Sequence, residues 1–266
     1  MSDAVLNSLS VGESGDIRDI AVLQRSGKAP GLVWLGGFKS DMDGTKAVAL
    51  DRWAGRQGYG CTRFDYSGHG RSGSTFEDGT ISRWLAESLT VIRRFTAGPQ
   101  ILVGSSMGGW LALLAARALR AAGEGERLAG MVLIAPAVDM TQDLMWNRFD
   151  DRAKAELAET GRFSRPSDYD DGPYIITRLL IEDGRSHLFG ERPIETGCPV
   201  HILQGKQDVD VPWSHAAGLM ERLAHDDAVL TLVADGDHRL SRPEDIERMI
   251  RAVEGLIDRS ADRTDG

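Results

Sequence analysis

Residues 100–122 constrain this chain more than any other stretch. A short apolar run suited to a buried strand (100–103) leads into Gly104-Ser105-Ser106-Met107-Gly108, and a Leu/Ala-rich helix is expected over 109–122. A G-x-S-x-G on a tight strand-to-helix turn has a steric logic. A side chain held there crowds the positions two before and two after it. Glycine at both lets the turn close and presents the Ser106 hydroxyl above a sheet, with Ser105 pointing down into the fold. The helix that follows aims its first amides at developing negative charge, so the Met107 N–H is expected to face an oxyanion.

The rest of the chain supplies such a sheet. Strands are expected at 19–25, 31–35, 60–66, 100–103, 131–135, 200–203 and 228–233. Helices are expected at 45–57, 82–95, 109–122, 214–223 and 243–257, the last with Pro243 in its first turn. The alternation predicts an α/β fold, a mostly parallel sheet flanked by helices. Residues 139–197 break the rhythm. They show no clear strand, only helical patches at 152–159 and 174–182, and the segment is too long for a plain loop. It is expected to be a small helical cap inserted late in the sheet, over the carboxyl ends of the strands where such sheets bind ligands. Residues 1–138 and 198–266 then form the core, with 259–266 frayed.

Composition narrows the classes. The 266 residues are 41% hydrophobic and 27% charged, an ordinary globular mixture, and the net charge of −9 with no basic run argues against a nucleic-acid partner. The uncharged stretch 95–116 is long enough to raise a membrane span, but Gly98-Pro99 and the 104–109 glycines interrupt it, so strand, turn and helix is the better reading. Cys61 and Cys198 make neither a disulfide framework nor a zinc site and are expected to be buried and reduced. Residues 1–16 lack a basic and apolar leader and contain no arginine, which together with the cysteines points to a cytoplasmic location. No His/Cys/Asp cluster has metal-ligand spacing, and the glycines do not space as a dinucleotide fingerprint, so no metal or cofactor is expected.

A serine hydroxyl needs a base, and the base needs an orienting acid. Asp208 follows the 200–203 strand, and His238 follows the 228–233 strand. Both loops leave the sheet on the side of the Ser106 turn, in the order serine, acid, histidine. Asp139, after the 131–135 strand, is a second acid that could reach the histidine. Asp210 reads as a loop residue and Asp237 as a turn former. Among the other histidines, His69 and His187 could line a pocket, His201 reads as structural, and His215 and His225 lie on or beside a surface helix. A second oxyanion donor is expected from Leu35-Gly36-Gly37-Phe38, with the Phe38 N–H paired with that of Met107. In the cap, Leu144, Met145, Trp146, Phe149, Tyr174, Ile175, Leu179 and Leu180 divide between an acyl-pocket role and packing of the cap onto the body.

Across nearly its whole length the chain resembles the α/β-hydrolase superfamily. The markers are Gly36-Gly37-Phe38, Asp65-Tyr66-Ser67-Gly68-His69-Gly70-Arg71-Ser72, the Ser106 turn, Asp208 with Val211-Pro212, and His238. The common His-Gly ahead of the oxyanion residue is Gly36-Gly37 here, which removes a side chain and keeps the backbone donor. A narrower similarity rests on Asp43-Gly44-Thr45-Lys46-Ala47, residues 63–68 and 98–106, Val211-Pro212-Trp213 and Asp237-His238-Arg239. These are similar to mitochondrial members that remove palmitoyl groups from protein cysteines and hydrolyse an acyl glucuronide. The resemblance implies a serine hydrolase acting through an acyl-enzyme on an ester or thioester. Its substrate would be a small molecule or an acylated protein. A small-ester carboxylesterase, a carbon–carbon bond hydrolase and a non-hydrolytic receptor on the same fold stay open at this point.

Overall fold

Strand residues alternate between two apolar layers, and the alternation builds the core. Val33, Leu35, Leu102, Met131, Leu133 and Ile202 face one layer, while Leu32, Trp34, Ile101, Val103, Val132, Ile134 and Leu203 face the other. A side-chain period of two in strands covered on both faces produces this division. The computed structural model describes residues 3–13, 15–165, 174–223 and 225–262.

The sheet has eight strands in the order β1-β2-β4-β3-β5-β6-β9-β10. They are β1 (Val5–Val11), β2 (Arg18–Arg25), β3 (Lys28–Leu35), β4 (Tyr59–Phe64), β5 (Gln100–Ser105), β6 (Leu128–Ile134), β9 (Val200–Gly205) and β10 (Ala228–Val233). β1 pairs antiparallel with β2, and β2 with β4; every other pairing is parallel. Helices α2 (Ile81–Phe95), α3 (Met107–Ala121) and α6 (Trp213–Arg222) bury residues in the first layer. Helices α1 (Thr45–Gln57) and α7 (Pro243–Asp262) cover the second. Leu50 and Trp53 of α1 meet Val253 and Leu256 of α7 in one cluster.

Two elements outside the inserted segment depart from expectation. β1 was not foreseen, because Val-Leu-Asn-Ser-Leu-Ser-Val buries only Leu9 and Val11 while Val5 and Leu6 stay exposed. The chain also stays helical through Asp262 rather than fraying at 259; residues 263–266 lie outside the described part.

The segment between β6 and β9 begins with a π-helical turn at Thr141–Met145 and continues into α4 (Asp151–Thr160). A two-stranded hairpin and α5 (Arg178–Gly184) follow. The hairpin pairs β7 (Arg162–Arg165) antiparallel with β8 (Tyr174–Thr177), which corrects the strand-free expectation. Tyr174–Thr177 is the first part of the expected second helical patch. It is extended because Ile175 and Ile176 pair across to Ser164 and Phe163, a non-local partnership that helical periodicity cannot register. Residues 166–173 lie outside the described part. Leu144, Met145, Phe149, Leu157, Ile176, Leu180 and Ile181 join the same apolar cluster as α2 and α3, so the segment extends the first core layer. Polar ties hold it as well: the Ser82 N–H donates to Asp183 Oδ2 at 2.9 Å, and Ser82 Oγ lies 2.7 Å from His187 Nε2. No described helix is long and apolar enough to cross a membrane.

Cys61 and Cys198 are buried and unbridged, as expected. One fully buried ion pair joins three parts of the fold. Glu87 of α2 accepts from Arg18 Nε of β2 at 2.7 Å and from the Ser67 N–H, after β4, at 2.9 Å. Glu87→Ala removes the buried partner of Arg18 Nε and leaves the guanidinium to its bonds with the half-exposed Asp16, and is expected to lower stability by about 3 kcal/mol. Glu87→Gln should cost less, and urea unfolding of the three proteins would measure both.

Candidate active site

The turn at Ser106 is closed by contacts that admit no side chain. A Cβ on Gly104 would stand 2.4 Å from the Gly108 carbonyl oxygen, and a Cβ on Gly108 would stand 2.0 Å from that of Leu35. Glycine at both positions lets α3 start against the ends of β3 and β5. Ser106 itself is held at φ 53° and ψ −117°, a strained backbone for a non-glycine residue. Its N–H donates to the Ile134 carbonyl at 2.8 Å, and its own carbonyl accepts from Gly109 and Ala137. These bonds over-determine the strained turn.

The other two candidates arrive from β9 and β10. His238 Nε2 lies 3.1 Å from Ser106 Oγ, and its Nδ1 lies 2.8 Å from Asp208 Oδ2. An ionised carboxylate only accepts, so Nδ1 carries the proton and Nε2 is left to accept from the hydroxyl. The Asp208 side chain is fully buried. Its Oδ1 takes the N–H groups of Asp210 (2.9 Å) and Val211 (2.8 Å), and its Oδ2 also takes Gln204 Nε2 (3.1 Å). Gly205 lets the His238 loop close on this end of β9, since a Cβ there would stand 2.4 Å from the Gly236 carbonyl oxygen.

Asp139 is engaged away from His238. Its carboxylate is buried against the Phe189 and Gly190 N–H groups at 2.9 and 2.8 Å, with Arg222 at 3.6 Å, so it anchors the return of the inserted segment. Asp237 accepts from the Leu240 N–H and forms a turn as expected. Gln204 was missed. It donates to Asp208, Gly205 and Val211 from full burial, and its only signal was a polar residue ending an apolar strand. His201 bonds Thr231 across two strands, His215 lies 2.9 Å from the Val138 carbonyl, and His225 is exposed. His187 ties the insertion to α2 and does not line the cavity.

Ser106 and His238 open into a cavity of about 380 Å³. Phe38, Met140, Leu144, Met145, Tyr174 and Ile176 form its apolar wall, and Lys39, Lys46 and Arg239 stand among its polar residues. The eight apolar candidates of the insertion therefore divide. Leu144, Met145 and Tyr174 line the cavity, Phe149 and Leu180 pack in the core, and Leu179 is exposed. Ile175 is half-buried outside the cavity lining, and Trp146 faces a separate hollow beside Lys154 and Arg185. Ser105 is buried, with part of it reaching the cavity. Gly36 and Gly37 bring the Phe38 backbone to the cavity's edge; a Cβ on Gly37 would stand 3.3 Å from the Ser105 carbonyl oxygen and 3.5 Å from Ser106 Cβ.

Ligand atoms of Asp208, Asp210 and His238 come within 4.8 Å of one another. Both oxygens of Asp208 already accept two hydrogen bonds each, and His238 Nδ1 donates into that set, so the arrangement is spent on orienting the imidazole rather than on offering lone pairs to a cation. Lys46 is a different case. Desolvation beside the cavity holds its ammonium down to about 8, with Asp237, Asp245 and Asp208 opposing the fall and Arg239 adding to it. Lys46 is charged below that value and neutral above it. An anionic inhibitor in the cavity should therefore lose affinity as pH rises through about 8. Lys46→Met should flatten that step, read by titration calorimetry across the range.

The family model for the alpha/beta hydrolase family matches residues 29–249. Human palmitoyl-protein thioesterase ABHD10, mitochondrial, is 34% identical over 253 residues, covering 95% of this chain and 81% of the relative. An Agrobacterium vitis S4 protein assigned as a hydrolase superposes with a TM-score of 0.93 at 52% identity, covering 96% of this chain and all of its own. Mouse alpha/beta hydrolase domain-containing protein 10 superposes at 0.84 and 32% identity, covering 95% and 99%. The eight-stranded sheet, the glycine-flanked serine turn and these matches agree, and the chain belongs to the alpha/beta hydrolase family.

Proposed function

We propose that the chain is a serine hydrolase that cleaves carboxylic thioesters and esters through an acyl-enzyme on Ser106. A long-chain acyl thioester on a protein cysteine is its leading substrate class. The observation that carries this reading is the continuous hydroxyl–imidazole–carboxylate relay at the mouth of a cavity with an apolar wall. ABHD10 is named as a palmitoyl-protein thioesterase, and the narrow sequence similarity points the same way.

Each residue has one task. His238 Nε2 takes the hydroxyl proton as Ser106 Oγ attacks the acyl carbon. The Met107 and Phe38 N–H groups hold the resulting oxyanion. The carbon–sulfur bond then breaks, and the imidazolium delivers its proton to the departing thiolate. Water repeats the sequence on the acyl-enzyme, releasing the carboxylic acid and free Ser106. Asp208 keeps the proton on Nδ1 and stabilises the imidazolium in both halves. No step calls for a cofactor. Residues 139–197 act as the cap that supplies much of the acyl wall.

A second substrate class is supported by the cationic residues of the same lining. Lys39, Lys46 and Arg239 suit a leaving group bearing a carboxylate, as in an acyl glucuronide.

Steady-state hydrolysis over an acyl series from acetyl to palmitoyl, as thioesters and oxygen esters with one acyl glucuronide, tests the reading. Ser106→Ala should abolish turnover and covalent acyl labelling while leaving the fold intact; retained turnover would overturn the nucleophile. Asp208→Asn should lower kcat by ~10⁴-fold through the wrong imidazole tautomer. Leu144→Trp, which fills part of the apolar wall, should depress palmitoyl turnover far more than acetyl turnover. Equal loss on both chains would place the acyl group elsewhere.

A further inference from the structure

The segment Asp65–Ser72 touches neither the relay nor a substrate in the mechanism above, yet it grips the loop that carries the Phe38 amide. His69 Nε2 accepts the Lys39 N–H at 3.1 Å, one residue beyond Phe38. Its Nδ1 faces the Ser67 carbonyl at 3.1 Å, and Asp65 Oδ1 takes the Met42 N–H further along the same loop at 2.7 Å. Lys39 sits at φ 58°, a left-handed conformation that a lysine adopts only when something holds it there.

The imidazole is 4% exposed and boxed edge-on by Tyr66, Phe76 and Trp84. The Phe38 ring packs edge-on against Phe76 and Trp84 of the same box. Both ring nitrogens have assigned roles, Nδ1–H donating to Ser67 and Nε2 accepting from Lys39. This uses one neutral tautomer and no other: a proton on Nε2 would meet the Lys39 N–H head-on.

We propose that His69 is a positioning residue, whose neutral imidazole fixes the Lys39 amide and so aims the Phe38 N–H at the oxyanion; this rests on the Ser106 reading above. Burial drives the ring down to about 4, with the Lys39 charge adding to the fall and the Ser67 carbonyl opposing it. The remaining charged groups nearby are already engaged. Asp65 accepts from Met42 and Arg71, and Glu87 of α2 is paired with Arg18 of β2 while it accepts from Ser67. The pin therefore persists throughout the range in which the hydrolase would work.

The test compares wild type, His69→Leu, His69→Gln and Ser106→Ala. Leucine removes the acceptor, whereas glutamine returns a neutral oxygen at the reach of Nε2. His69→Leu should lower kcat on the order of 10²-fold with KM unchanged, the size of losing one oxyanion donor. It should weaken an acyl trifluoromethyl ketone, which forms an oxyanion on Ser106, by a similar factor while leaving the matched unreactive amide unaffected. His69→Gln should recover most of both losses. In wild type, ¹⁵N spectra should show Nδ1 protonated and Nε2 bare from about pH 5 to about pH 8.

A Ser106-dependent enzyme in which His69→Leu turns over like wild type would overturn the proposal alone. So would equal impairment of both His69 variants with matching losses of melting temperature, or the opposite ring tautomer. Full activity in Ser106→Ala would instead overturn the underlying mechanism, and this inference with it.

Discussion

Helix α3 enters the sheet so closely that position 108 has no room for a methyl group beside the Leu35 carbonyl. That one contact determines where everything else can stand. It seats the helix start against the ends of β3 and β5, forces Ser106 into its strained turn, and brings the Gly36–Lys39 loop alongside. The strain is held by ordinary backbone bonds to Ile134, Gly109 and Ala137. Ser106 therefore sits at the junction of three strands, where no rotamer adjustment can relax its backbone.

Polar groups at this edge are arranged by donor count. Asp208 is taken out of water completely, and four donors compensate it, one of them the histidine it orients. A buried carboxylate with that set has no reason to swing away from His238. Lys46 lies a short way off and donates to the Arg239 carbonyl, and desolvation weakens its charge. The same desolvation that secures the relay makes one wall of the cavity sensitive to pH.

The inserted segment shares a core with the body of the fold. Its apolar residues merge with the α2–α3 layer, and Asp139 fastens the returning chain at Phe189 and Gly190. Apolar side chains at neighbouring positions then face different ways. Leu144 and Met145 reach the cavity, while Trp146, the next residue, faces a separate hollow. Composition alone could not sort them, because both environments reward the same hydrophobic atoms.

Local pattern determined much of this protein. The glycine–serine–glycine turn, the strand–helix alternation, and the positions of Asp208 and His238 after the last two parallel strands were all legible, because sterics and periodicity act within a few residues. Tertiary structure decided the rest. The antiparallel β1 and the β7–β8 hairpin depend on partners elsewhere in the chain. Asp208 was the expected acid and Asp139 an alternative after another parallel strand, and the fold directs Asp139 to backbone amides and Asp208 to the imidazole. Gln204 stands in no motif, and Lys46 and His69 stand in motifs that do not state their roles: those come from what is packed against them, and burial, desolvation and long-range hydrogen bonds exist only once the chain has closed.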